Sequence, residues 1–270
     1  MRDDDYPLAS SPDEIKRLRV QAESLSDEAA ILLDRMGVEP GMACLDLGCG
    51  AGGIVDLLSA KVGPSGSVLG LDVENYSLAA ARAWADDLGL GNVRFRSGDI
   101  FSNDLPDESF DLVHMRYVIT TVGRHKDAVA AASRLVRKGG LLAIEEADAS
   151  GIRCYPENPA FSRLTEALKS VFVEIDADPY AGQHLYRLLR EAGLQDVDFR
   201  CCTARARAHD DLVEYLPQTV LSVREAMLKF GLMDGDEIDA DIAACRDHLA
   251  DPNTISTTSV VFQAWGRKPQ

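Results

Sequence analysis

The stretch Met42-Ala-Cys-Leu-Asp-Leu-Gly-Cys-Gly-Ala-Gly-Gly53 decides how this 270-residue chain is read. Met42 to Leu47 is apolar apart from Asp46, too short for a buried helix, and runs into glycines, so it predicts a buried strand entering a tight turn. Gly48, Gly50, Gly52 and Gly53 let the backbone turn sharply and approach a ligand with no Cβ in the way. From Gly53 onward, Ile54, Val55, Leu57, Leu58 and Val62 form the inward stripe of a helix that Gly63 stops.

Two nucleoside cofactor classes use such a turn, and Gly48, Gly50 and Gly53 also satisfy the dinucleotide spacing. Asp46 discriminates between them. It stands two residues before the first glycine, where a dinucleotide would bring an anionic pyrophosphate and S-adenosylmethionine (SAM) brings a sulfonium and an ammonium. The carboxylate favours the cationic ligand. A second strand, Ser67 to Leu71, ends on Asp72, about 20 residues after the turn, where a carboxylate accepts both ribose hydroxyls. Val73 would lie against the adenine face.

Working outward, helices at 77–88 and 126–137 alternate with strands at 93–96, 110–115 and 141–145. This βαβ period predicts a parallel, doubly wound sheet with ligands at the carboxyl ends of its strands. Upstream, Ser11-Pro12-Asp13-Glu14 is a helix start, and apolar positions recur to Met36 with an interruption near Ser26-Asp27. Downstream, Asn158-Pro159 opens a helix to Phe172, Gln183 to Glu191 forms another before Gly193, and 196–202 is a sixth strand. Helices follow from 210 to 250, with Pro217 expected to kink the first and Asp234 and Glu237 forming a capping box; 257–265 is the last strand.

Composition narrows the function. Lys plus Arg number 28 against 44 Asp plus Glu, and the formal charge of −16 disfavours a nucleic-acid partner. The six cysteines show no metal spacing and include an adjacent pair, as expected of reduced thiols in a cytoplasmic protein. No signal core or membrane span is expected, and no metal, since the acidic run at 233–241 lacks the calcium-loop pattern.

Leu45-Asp-Leu-Gly-Cys-Gly-Ala-Gly52 resembles the first motif of the class I SAM-dependent methyltransferases, and Phe110-Asp-Leu-Val113 resembles their Phe-Asp-x-Val motif. Glu146-Ala-Asp-Ala-Ser-Gly151 is similar to a Glu-Pro-Asp-x-Ser-Gly stretch in some relatives of the quinone-biosynthesis and natural-product tailoring type. The resemblance implies an α/β fold: a doubly wound, mostly parallel, seven-stranded Rossmann-like sheet with a reversed last strand. It also implies N-terminal helices and a helical lid insertion. The corresponding organisation is a lid segment at 1–38, a SAM-binding core at 39–203 and 256–270, and an insertion at 204–255 over the acceptor.

By the same resemblance Asp99 and Ile100 contact adenine, and Arg116 lies at the methionine end of the donor. The acceptor, a small molecule methylated on O, N or C, would be oriented or deprotonated by Glu146 and Asp148, with His114 a third candidate. Tyr6, Tyr117, Tyr155 and Tyr215 are the expected acceptor contacts. Thr121 departs from the pattern, since relatives with Ala-Arg-Phe-Val-Leu-x-His carry histidine there. Two alternatives stand beside this reading: a SAM-binding regulatory protein without turnover, and an NAD-dependent oxidoreductase, which Asp46 and the leading helices disfavour. A homodimer is left open.

Overall fold

The computed structural model describes residues 11–270. Helix α1 (Pro12–Ser24) starts where Ser11 accepts the Glu14 amide, and Leu25 separates it from α2 (Ser26–Met36), which ends on Gly37 in the left-handed region. Then come β1 (Ala43–Leu47), α3 (Val55–Val62), β2 (Ser67–Asp72), α4 (Asn75–Asp87), β3 (Val93–Ser97), β4 (Phe110–Arg116), the single turn α5 (Ile119–Val122), α6 (His125–Leu135) and β5 (Val136–Asp148). The second half comprises β6 (Arg153–Tyr155), α7 (Pro159–Glu174), α8 (Leu185–Glu191), β7 (Gln195–Arg207), α9 (Tyr215–Ser222), α10 (Arg224–Lys229), α11 (Gly235–Leu249) and β8 (Ile255–Arg267).

The strands lie in the order β3-β2-β1-β4-β5-β8. The first five are parallel, and β8 runs antiparallel to β5, β6 and β7. The reversed last strand is therefore present. Beside the seven expected strands the sheet takes a short eighth: β6, three residues long, continues along β8 beyond the end of β5. No periodicity can declare itself over three residues.

Alternation along each strand sorts the core into two layers. Leu45, Leu47, Val113, Met115, Leu142, Ile144 and Ala264 face α6 and α8. Cys44, Leu112, Leu141, Ala143 and Trp265 face α2 and α3, where Ala29, Leu32, Leu33 and Leu58 complete the layer. On that second face, two residues further along β1, β4 and β5, the side chains turn polar: Asp46, His114 and Glu145 are all buried. A polar row at the carboxyl ends of central strands is the feature that simple core packing does not ask for.

A third core joins α7 to α9, α10 and α11 through Phe161, Leu164, Val220, Met227, Ile238 and Leu249. The helical layer thus draws on 159–174 as well as on the segment from 204 to 255. Asn158 accepts the Phe161 amide at the start of α7, and the Asp234–Glu237 capping box is present in full. Pro217 does not kink a helix. It sits in the first turn of α9, where it displaces no helical hydrogen bond, and the break falls at Val223 instead.

Candidate cofactor and acceptor site

The glycine turn is built by amides that point back at β2. Gly48 and Cys49 both donate to the Leu71 carbonyl, at 2.7 and 3.1 Å. Asp72 closes the turn from the side: its Oδ2 accepts from Gly50 N at 2.7 Å and its Oδ1 from Glu74 N at 2.8 Å. Burial pushes the Asp72 pKa up, and those two amide bonds oppose the rise. Each oxygen keeps a lone pair, enough for two ribose hydroxyls.

Two glycines are required by what lies against them. A Cβ on Gly52 would stand 2.7 Å from the Trp84 ring, and one on Gly53 would stand 2.6 Å from Asp46 Oδ2. Both residues have positive φ as well, 129° and 50°.

Behind the turn, Asp46 Oδ1 bonds His114 Nδ1 at 2.7 Å, and His114 Nε2 bonds Glu145 Oε1 at 2.9 Å. Burial alone would strip the proton from the imidazole. The hydrogen bonds to Asp46 and Glu145 outweigh it and raise the His114 pKa to about 9, so the ring is an imidazolium donating from both nitrogens. Burial opposes the charge on Glu145 too, yet His114, the nearby Arg116 and Gln263 bring its pKa down to about 2. Among the described residues, Asp46 Oδ2 and Arg116 Nη1 are buried with no hydrogen-bond partner. One anionic and one cationic atom are thus left over at the carboxyl ends of β1 and β4.

Glu146 points to the opposite face from Glu145, as alternation requires. Its oxygens accept from Ile119 N and Thr120 Oγ1, both at 2.5 Å, which ties the end of β5 to the start of α5. Burial raises its pKa to about 7 against the pull of those bonds. Asp148 accepts from Ser150 N at 2.8 Å and from Gln183 Nε2 at 2.7 Å. The three residues expected to act on the acceptor, His114, Glu146 and Asp148, are therefore all buried with protein partners.

The remaining expected contacts divide. Val73 is exposed just beyond Asp72, Asp99 Oδ1 accepts the Phe101 amide, and Ile100 is packed in the layer under α6. Tyr117 follows Arg116 with a φ of 58°, a strained conformation for a bulky residue. Its side chain lies near Gln21 of α1 and Tyr215, and burial pushes its pKa well above the ordinary value. Tyr215 in turn meets Ser259 Oγ at 3.3 Å. Tyr155 stands apart, 71% exposed on β6 opposite Ile255 at the far end of β8. Tyr6 lies outside the described residues. Gln21, Glu28, Arg200 and Gln263, which reach this region from α1, α2, β7 and β8, were not singled out from the sequence; no local motif marks them.

A sheet of this order with a reversed strand, and a glycine turn closed by an acidic end to β2, define a class: the chain belongs to the class I SAM-dependent methyltransferases. Residues 38–193 match the family model described as a methyltransferase domain. The chain is 28% identical to the ubiquinone/menaquinone biosynthesis C-methyltransferase UbiE of Ectopseudomonas mendocina, over 55% of this chain and 59% of that protein. With the nocamycin O-methyltransferase of Saccharothrix syringae it shares 34% identity over 42% of this chain and 40% of that one. It spans about half the length of the curated relatives it matches. A crystal structure of a SAM dependent methyltransferase from Aquifex aeolicus shares the fold, with a TM-score of 0.54, 24% identity, and coverage of 72% of this chain and 93% of that one. Among the described residues no helix is long and apolar enough to cross a membrane, and no group of three His, Cys, Asp or Glu side chains is placed to hold a metal ion.

Proposed function

We propose that this protein transfers the methyl group of SAM to a small-molecule acceptor held beside Tyr117 and Tyr215, beneath α1 and α9. The observation that carries the reading is a pair of buried atoms with no hydrogen-bond partner among the described residues, Asp46 Oδ2 against Gly53 of the glycine turn and Arg116 Nη1 at the end of β4 near Glu145. They are the complement of an amino-acid zwitterion. When bound, the donor supplies an electrophilic methyl group on a sulfonium, and displacement at that carbon leaves a neutral thioether.

The chain's own residues then have separate tasks. Asp72 holds the ribose while Asp46 and Arg116 hold the ammonium and carboxylate of the donor. Tyr117, with its main-chain amide fixed to the Glu145 carbonyl at 2.9 Å, sets the floor on which the acceptor lies. Alignment and exclusion of water are what such a site contributes to an in-line displacement. The hydrogen bonds held by Glu146 and Asp148 support a role in ordering the loops that form this floor. Phenolic hydroxyls and the Gln21 amide at one end, with the apolar α7–α11 core behind, favour a hydroxylated aromatic or isoprenoid-like acceptor. The two relatives named above, a quinone C-methyltransferase and an antibiotic O-methyltransferase, are consistent with an acceptor from cofactor biosynthesis or secondary metabolism. The six free cysteines favour a reducing, cytoplasmic setting.

The test is a thermal-shift panel with SAM, S-adenosylhomocysteine, NAD and NADP, because a ligand at about 100 times its dissociation constant adds ~2.7 kcal/mol of stability. Both adenosyl-sulfur compounds should raise the melting temperature of the wild type, and Asp72→Ala should lose most of that shift. A shift with a nicotinamide cofactor alone would overturn the assignment. A second reading, a SAM-binding protein without turnover, draws on the engagement of every candidate base; release of S-adenosylhomocysteine with any phenol, quinol or amine excludes it.

A further inference from the structure

The polar row on the second face of the sheet continues well past the cofactor residues. From Asp46 and His114 it passes to Glu145, whose Oε2 accepts from Gln263 Nε2 at 2.6 Å. Gln263 Oε1 accepts from Arg200 Nη1 at 2.8 Å, and Arg200 Nη2 bonds the carboxylate of Glu28 on α2. The Glu28 carbonyl also receives Arg200 Nη1 at 3.1 Å and Gln263 Nε2 at 3.3 Å. Six side chains from β1, β4, β5, β8, β7 and α2 are thus joined in one line.

Register explains how they meet. Asp46 is opposite His114, Glu145 opposite Gln263, and Gln263 opposite Arg200, so alternation puts all five strand residues on the face that α2 covers. Along this line Asp46, Glu145 and Glu28 are matched by His114, Arg200 and, beside Glu145, Arg116. Every link occupies a donor with an acceptor, and the atoms beside this line that have no partner among the described residues, Asp46 Oδ2 and Arg116 Nη1, lie at the cofactor end. His114 decides which Asp46 oxygen is left free. At the opposite end, α2 is seated by both the side chain and the backbone of Glu28. Helix α1 precedes it, brings Gln21 near Tyr117, and packs on α9.

We propose that His114, Gln263 and Arg200 are positioning residues for the amino-acid end of the cofactor, and that their chain couples occupancy of Asp46 Oδ2 to the seating of α2 through Glu28. The proposal rests on Asp46 being the cofactor's ammonium partner. A polar network in a low-dielectric interior has few satisfied arrangements, so freeing one end loosens the other. Reciprocity then requires that breaking the chain at Glu28 weaken cofactor binding by the factor by which the cofactor's hold on α2 falls.

The experiment uses S-adenosylhomocysteine as the probe, titrated calorimetrically into the wild type, Asp46→Asn, Arg200→Met and Glu28→Gln, with amide hydrogen exchange followed at residues 26–36 and 48–53. The Glu28 side chain is one-third exposed, so Glu28→Gln buries no new unpaired group. Glu28→Gln and Arg200→Met should each raise the dissociation constant about fivefold or more, within the usual range of site-to-site coupling. In Glu28→Gln the probe should still slow exchange at the glycine turn while its protection of 26–36 shrinks by a matching factor. If both distant variants bind within about twofold of the wild type while Asp46→Asn loses affinity, the chain is packing alone and the coupling is refuted, with the cofactor site intact. If Asp46→Asn itself binds like the wild type, the assignment of Asp46 falls and the coupling falls with it.

Discussion

The charge on His114 makes a prediction that can be worked through with numbers. Its folded pKa of about 9 lies above the ordinary 6.5, so the folded chain holds a proton that the unfolded chain releases between those values. The sign follows: this contribution is fully present below pH 6.5 and is lost as pH rises through 9. Applying the linkage relation to those two values, the fall between pH 6 and pH 8 amounts to about 2 kcal/mol. Glu146, raised from 4.5 to about 7, adds about 1 kcal/mol of the same sign over that interval. The buried thiols contribute little below pH 8, because their ordinary value is 9.0. Urea unfolding at pH 6, 7 and 8 measures the total. The double variant His114→Asn/Glu145→Gln, which leaves no carboxylate of Glu145 facing a missing cation, should lose about 2 kcal/mol of the pH dependence and keep the part due to Glu146. Nitrogen NMR of the wild-type imidazole should show both ring nitrogens protonated at pH 7. A neutral tautomer there, or an unchanged slope in the double variant, would refute the picture of an imidazolium clamped by two carboxylates.

Other outcomes follow from single contacts. Gly53→Ala puts a methyl group against Asp46 Oδ2 at a positive φ, so it should cost at least ~1 kcal/mol of stability and lower SAM affinity together, read by urea unfolding and calorimetry. Glu146→Gln keeps a hydrogen-bond acceptor for Ile119 but removes a charge whose burial is unfavourable; above pH 7 its unfolding free energy should equal or exceed that of the wild type. The same variant should hold kcat within about tenfold once an acceptor is known, and a loss beyond about 100-fold would make Glu146 a base after all. Asp72→Ala should reduce SAM affinity by at least about tenfold, the scale of losing charge-assisted bonds to two hydroxyls, while circular dichroism of the unliganded protein stays native.

Much of the fold was legible because its signals are local. Glycines that must adopt positive φ, Ser11 and Asn158 before prolines, Asp234 three residues before Glu237, and apolar strands between helical periods each act within a few residues. Boundaries were less so. Strands β5, β7 and β8 each run 13 residues because their ends pair with one another, and no residue-level propensity marks where a partner strand stops. The site divides in the same way. Asp46, Asp72 and the glycines were singled out by motif spacing, and they meet in the structure because a tight turn is built from consecutive residues.

What the chain's order of residues determined by itself was the alternation of strands and helices, the glycine turn after β1, and the carboxylate behind it. Only the tertiary structure decided what His114, Glu145, Glu146 and Asp148 do. Neighbours in sequence, Glu145 and Glu146 point to opposite faces, one into a row of charges and the other onto the start of α5. Glu28 and Arg200 are 172 positions apart and share an ion pair because β7 lies beside β8 and α2 covers both. Electrostatic roles are fixed by desolvation and by partners brought from distant segments, and neither exists until the sheet has closed its register.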